Sequence, residues 1–353
     1  MLTAVPFILT ASLLAPAAPA AADPIRTVAQ ETVTAGATGV QIRTVHNGHS
    51  RTVTAGVSEL DSRKPVSPHG RFRIGSTTKS FVATVVLQLV AEHRIGLDTP
   101  VERYLPGLLP HGNEITVRML LQHTSGLYNY LRTISLAGTD LEKVRYQHFS
   151  PEQLVAIATA QPLDFPPGSA YSYSNTNYTV LGMLIERTTG HAWGDEAAKR
   201  ILRPLGMHHT VIPGDRTKIP GRHAHGYQEV NEKLVDVTEL NPSVAGAAGE
   251  IVSTTADLDT FVQALAAGRL VPRTLLGQMT TPRSATEKYG LGLETRTTPC
   301  GIPVFGHTGG IPGYGTIAFT SADGKRRVEA SLTFGRGPGN AAFSSLIDKV
   351  ICA

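Results

Sequence analysis

Residues 38–45 and 51–55 alternate apolar and polar side chains with a period of two, and Asn47-Gly48 stands between them. The alternation predicts two half-buried strands, and Asn-Gly suits the tight turn of a hairpin. Beyond Ser76 the period changes: Phe81, Val82, Val85, Val86, Leu89 and Val90 fall on one face of a helix. Ser150-Pro151-Glu152-Gln153 reads as an N-cap, a proline at the first helical position and a capping-box glutamine, opening a helix to about Ala160. Further helices are expected over 175–189 and 193–205. Strand patterns return at 303–306, 315–320 and 328–334, with Asp323-Gly324 as a hairpin turn, and 341–351 reads as a closing helix. Strands at both ends with helices between them predict a discontinuous α/β domain (23–94 and 226–353) carrying an inserted helical domain (95–225). A cleft belongs at such a boundary.

Composition narrows the picture. Among 353 residues, 41% are hydrophobic and 17% charged, enough for a sizeable core. The net charge is +4, and the basic residues are scattered apart from Lys325-Arg326-Arg327. That run reads as a solvated hairpin end, so no nucleic-acid partner is expected. With no P-loop and no Cys/His cluster of ligand spacing, neither a cofactor nor a metal is expected. Residues 1–22 carry no charged side chain and end in Ala20-Ala21-Ala22. They read as a signal peptide, although the usual basic n-region is missing, so the protein is expected to be secreted. No other apolar run approaches the ~20 residues of a membrane span. The two cysteines, Cys300 and Cys352, are expected to form one disulfide.

Candidate chemistry lies in three short segments. In Ser76-Thr77-Thr78-Lys79, serine and lysine share a helical face, so the amine sits one turn from the hydroxyl it would activate. Tyr173-Ser174-Asn175 offers a proton-shuttling phenol and an amide. His307-Thr308-Gly309-Gly310 follows a strand, and its glycines admit close approach of a substrate backbone, with the Gly310 N–H as an oxyanion donor. His123-Thr124-Ser125-Gly126 is superficially alike, but it follows an apolar helical stretch and reads as a helix-ending turn.

The ordered trio resembles the serine β-lactamase and penicillin-binding family over about residues 30–352. Within it, the likeness is to secreted D-alanyl-D-alanine carboxypeptidases and D-stereospecific peptidases. Matching segments include 71–75, 122–127, 166–175 and 289–293. The resemblance implies a β-lactamase-like fold, a mainly antiparallel sheet flanked by helices with an all-helical insert. It implies Ser76 as the acylated nucleophile, Lys79 as its activator, Tyr173 as proton shuttle and Asn175 as the positioning amide. His307 would supply electrostatics and a hydrogen-bond link to Tyr173. Thr308, Gly309, Gly310 and Glu294 would contact substrate, and the cysteine pair falls where those carboxypeptidases have a disulfide.

Glu294 stands where those carboxypeptidases hold the substrate carboxylate with arginine, and Gly310 stands in place of threonine. Action on a free C-terminal carboxylate is therefore expected to be weakened. Endopeptidase, aminopeptidase or esterase action gains, unless Arg296 restores the clamp. The sequence thus points to a monomeric secreted serine hydrolase acting on small peptides or esters of cell-wall type. The leading form is a D-alanyl-D-alanine carboxypeptidase-like or D-stereospecific peptidase that β-lactams would acylate. The alternatives are an esterase or β-lactamase on the same scaffold, and a non-catalytic penicillin-binding protein.

Overall fold

The computed structural model describes residues 23–284, 286–335 and 345–352. The expected signal peptide and residues 341–344 of the closing helix lie outside them.

Strands β1 (Gly39–His46) and β2 (His49–Gly56) form the expected hairpin, with Asn47 and Gly48 both at positive φ. Three long C-terminal strands complete the sheet with an edge strand. These are β8 (Pro303–Ile311), β9 (Tyr314–Ser321) and β10 (Arg326–Thr333), and the edge is β7 (Glu294–Thr297). The order is β2-β1-β10-β9-β8-β7, every pair antiparallel, so the two ends of the chain meet where β1 pairs with β10. Strand β8 runs through the whole His307–Gly310 segment and does not stop before it, because each of those residues has a partner on β9. Two short ladders stand apart from this sheet, β3 (Phe72–Arg73) with β6 (Val252–Ser253), and β4 (Tyr227–Val230) with β5 (Lys233–Asp236).

One face of the sheet is covered by helix α1 (Pro24–Thr34) and the closing helix (Leu346–Ile351). Val40, Ile42, Val328, Ala330 and Leu332 pack there against Ile25, Val28 and Ile347. Helix α1 starts with Asp23 as N-cap and Pro24 at its first position, a helix-start signature that period-two reading passes over. The Cys300–Cys352 disulfide ties the closing helix to the β7–β8 connection.

The other face carries α2 (Thr78–Ala91), behind which lies the helical part. That part comprises α3 (Val117–Leu121), α4 (Gly138–Val144), α5 (Pro151–Thr159, with the expected capping box), α6 (Asn175–Thr189) and α7 (Trp193–Ala197). After Ala197 the helix widens into a π turn over Ala198–Leu202. The sequence predicted an apolar stripe on α2, yet Thr78 through Leu87 are all buried. The helix lies between the sheet layer and α6 and α7, so both of its faces need apolar cover. Helices α8 (Thr255–Ala266) and α9 (Arg273–Met279), not expected from the pattern, finish this layer, and Phe261 of α8 stacks on Phe81.

Candidate active site

Ser76 lies in a single 3-10 turn, Gly75–Thr77, that leads directly into α2. Gly75 has φ +49, and a Cβ there would fall 2.7–2.8 Å from the backbone of Gly310. Only glycine lets the turn abut β8 so closely. The fit is reciprocal, since a Cβ on Gly309 would meet Ile74 O at 2.0 Å. Thr77 Oγ1 adds a 3.4 Å hydrogen bond to His307 O. The nucleophile's turn and the His307–Gly310 strand are thus held backbone to backbone. A Cβ on Gly310, by contrast, would meet nothing within 4 Å, so that position faces open space.

Lys79 is fully buried on the first turn of α2. Its Nζ lies 3.0 Å from Ser76 Oγ, 2.8 Å from Asn175 Oδ1 and 2.7 Å from Ala248 O. Burial pushes its pKa well below the ordinary lysine value, with Glu294 opposing. A neutral amine has two hydrogens and one lone pair. The two carbonyl oxygens take the hydrogens, which leaves the lone pair for the Ser76 hydroxyl proton. Asn175 is held in turn by Asn129, whose Oδ1 accepts from Asn175 N (3.3 Å) and Nδ2 (3.4 Å).

Tyr173 places its ring 4.8 Å from Lys79 Nζ. Its buried hydroxyl has no hydrogen-bond partner among the described residues. Burial raises its pKa well above 10, opposed by the nearby Ser76 hydroxyl, so the phenol keeps its proton. The pair is therefore poised as base (Lys79) and acid (Tyr173).

The expected link from His307 to Tyr173 is not formed. His307 Nε2 lies 2.9 Å from Tyr289 Oη instead, while Nδ1 bonds Thr308 O and lies 3.3 Å from Glu294 Oε1. Acceptors at Nδ1 put the ring proton there, so Tyr289 donates to Nε2. Burial lowers the His307 pKa, with Glu294 opposing, and the ring is neutral at neutral pH. Tyr289 is the residue that bars the expected link, and its ring meets that of Tyr173 edge-on at 6.1 Å.

Glu294 Oε1 accepts from Thr308 N (2.9 Å) and Thr308 Oγ1 (2.5 Å). No described residue donates to its Oε2. The carboxylate lines a cleft of about 380 Å³ together with Tyr171, Tyr173, Tyr289 and Arg296. Arg296 does not restore a carboxylate clamp, because its guanidinium is bound to Asp348 of the closing helix at 2.7 Å. Among the described residues no group of three or more His, Cys, Asp or Glu is placed to hold a metal.

Three further residues belong to this site that the sequence did not single out, Asn129, Tyr289 and Ala248 through its carbonyl. Their partners are remote in sequence; Tyr289 opens the matching segment 289–293 without its role being read, and no local pattern marks Asn129 or Ala248. His123 does end α3, at φ +60, as expected of a helix-ending turn, but its ring also packs on Tyr173 at 4.3 Å.

A serine whose hydroxyl faces a buried neutral amine, beside a protonated phenol and a glycine-bearing strand, is the arrangement of a serine acyl-transfer enzyme. The chain belongs to the Beta-lactamase family, whose model matches residues 25–338. The family comprises serine hydrolases with this fold, including D-aminopeptidases, D-amino acid amidases and penicillin-binding proteins. A D-stereospecific amidohydrolase from Streptomyces sp. superposes with a TM-score of 0.85 at 38% identity, covering 91% of this chain and 97% of that one. The D-amino acid amidase of Ochrobactrum anthropi SV3, complexed with L-phenylalanine amide, gives 0.82 at 27%, covering 93% and 96%. Penicillin-binding protein 4* of Bacillus subtilis (strain 168) is 28% identical over 77% of this chain, and a D-aminopeptidase of Brucella anthropi is 30% identical over 82%. The chain spans 63% and 54% of the lengths of these two relatives.

Proposed function

We propose that this chain is a D-stereospecific amidohydrolase, acting on amides or peptides that present a free amine and no free carboxylate at the cleft. The observation that carries the reading is Glu294. Its carboxylate is fixed by Thr308 and lines the cleft beside Tyr173, where a substrate carboxylate would need a cation. It repels a free C-terminal acid and attracts an ammonium. The likeness to D-stereospecific amidohydrolases and D-aminopeptidases supports the stereochemistry. The disulfide supports action in an oxidising compartment outside the cytoplasm.

In acylation, Ser76 Oγ attacks the amide carbon as its proton passes to Lys79 Nζ. The Ser76 and Gly310 N–H groups stabilise the oxyanion, and Tyr173 gives its proton to the departing amine. The C–N bond breaks, an ester on Ser76 remains, and the proton held by Lys79 restores Tyr173. Water then hydrolyses the ester, returning the acid and free Ser76.

The test compares D-phenylalanine amide, its L enantiomer, and an acylated tripeptide ending in D-Ala-D-Ala. The D-amide should be turned over at least ~10-fold faster in kcat/KM than the free-acid peptide, and Glu294→Gln should narrow that gap. A strong preference for the free acid would overturn the assignment and return the chain to carboxypeptidase chemistry.

A further inference from the structure

His123 is a fully buried side chain beside the reacting groups that the chemistry above does not use, and its Nε2 has no hydrogen-bond partner among the described residues. Its main-chain carbonyl accepts the Ser172 N–H at 3.0 Å, and its Nδ1 accepts the Ser174 N–H at 3.3 Å. One residue thus grips the backbone on both sides of Tyr173. The ring lies 4.3 Å from the Tyr173 ring and 4.8 Å from that of Tyr289, the partner of His307. Asn177 Nδ2 also lies 3.0 Å from His123 Nδ1, and the Asn177 orientation is set by Ser125 Oγ, which donates to its Oδ1 at 2.5 Å. Two N–H donors converging on Nδ1 leave the ring proton on Nε2, so His123 is a fixed neutral tautomer. Burial holds its pKa well below the ordinary value.

We propose that His123 is a positioning residue for Tyr173. Through Nδ1 and its carbonyl it fixes the phenol at the point where the leaving amine must receive a proton. The inference rests on the reading that Tyr173 supplies that proton. The positive φ of His123 is part of the device, because it ends α3 and turns the ring back beneath Tyr173 in one step.

The test uses two substitutions that both tolerate positive φ and both remove the ring. His123→Gly removes the Nδ1 acceptor, whereas His123→Asn puts Oδ1 in the same place. Steady-state turnover of D-phenylalanine amide is compared with the p-nitrophenol burst from p-nitrophenyl acetate, whose leaving group needs no proton. With the phenol displaced, His123→Gly should lose about 100-fold in kcat on the amide with little change in KM. The ester burst should fall less than ~10-fold, and His123→Asn should recover about 10-fold or more of the amide rate. Equal losses on amide and ester, or equal losses in the two variants, would overturn the proposal. Should His123→Gly fail to fold, His123→Asn against the parent protein decides: a loss on the amide larger than on the ester burst supports the role, and equal effects on both probes contradict it. If the parent protein shows no Ser76-dependent turnover, the functional reading fails on its own. Crystal structures of the variants then judge His123, because Tyr173 Oη unmoved to within about 0.5 Å in His123→Gly would contradict positioning, and displacement there with restoration in His123→Asn would support it.

Discussion

Around Lys79 Nζ the acceptors Asn175 Oδ1 and Ala248 O leave one direction for a lone pair, and Ser76 Oγ occupies it. Arginine at this position keeps its charge at any working pH and has no such lone pair. Lys79→Arg is therefore expected to lower the acylation rate by about 10²–10⁴-fold. Stopped-flow acylation measures it, and a variant that retained near-normal rates would show that only a positive charge is needed there. The pH profile carries the same claim. Acylation needs Lys79 unprotonated, and burial shifts its protonation well below the ordinary lysine range. The acid limb that Lys79 gives kcat/KM should accordingly lie well below pH 10.5, the ordinary lysine value. Ser76, Lys79 and Tyr173 were named in the sequence from the ordered trio of segments and its family resemblance, since the Ser-x-x-Lys spacing alone only puts the first two on one helical turn. Asn129 and Tyr289 were not, since each acts through a contact with a residue 46 or 18 positions away.

Strand β8 and the Gly75–Thr77 turn meet through main-chain atoms, so their separation depends on absent side chains. Gly309→Ala would drive a Cβ into Ile74 O and part the two elements, moving the Gly310 N–H away from Ser76. The expected result is a loss of stability of about 1–3 kcal/mol by denaturant titration, together with a fall in kcat of roughly 100-fold. Gly310→Ala is the control, since open space lies before its Cβ, and it should melt as the parent protein does. Equal stability of the two variants would contradict the packing argument. At this scale the sequence was most informative where the signal is local. The Asn47-Gly48 turn and the Ser150 capping box formed as expected because a few neighbouring residues determine them. Helix α8 went unread although Thr254 caps it by accepting from Asp257 N, because no element was expected between 226 and 302. The full burial of α2 depends on layers contributed by both halves of the chain, which no window of sequence contains.

The discontinuous architecture brings β1 beside β10 and buries charge between that pair and α8. Arg43 and Arg327 both bind Asp259 there, at 3.1 and 2.5 Å. Glu329, fully buried between them, has neither oxygen hydrogen-bonded among the described residues. Burial pushes its carboxyl well above 4.5, with Asp259 adding to the shift and Arg327 opposing it. The folded protein holds a proton that the unfolded chain releases, so stability declines as pH rises from about 4.5 toward the folded-state value. Glu329→Gln removes that dependence and should melt about 2 °C or more higher at pH 7, with no difference at pH 4. A lower melting temperature at pH 7 would show that the ionised carboxylate stabilises the cluster. That strands from both ends of the chain share one layer with helices between them was legible because the strand pattern appears at both ends, whereas the strand order and the edge strand β7 were not read. The charges beneath α8 were not, because which residues face one another follows from register. All of this framework serves one group, the hydroxyl of Ser76, and intact-protein mass spectrometry after rapid quenching tests it most directly. Incubation with benzylpenicillin or a slow D-amino acid ester should add one acyl mass to the protein, localised by peptide mapping to Ser76 and absent from Ser76→Ala. An adduct that persists in Ser76→Ala, or maps to another residue, would contradict the account.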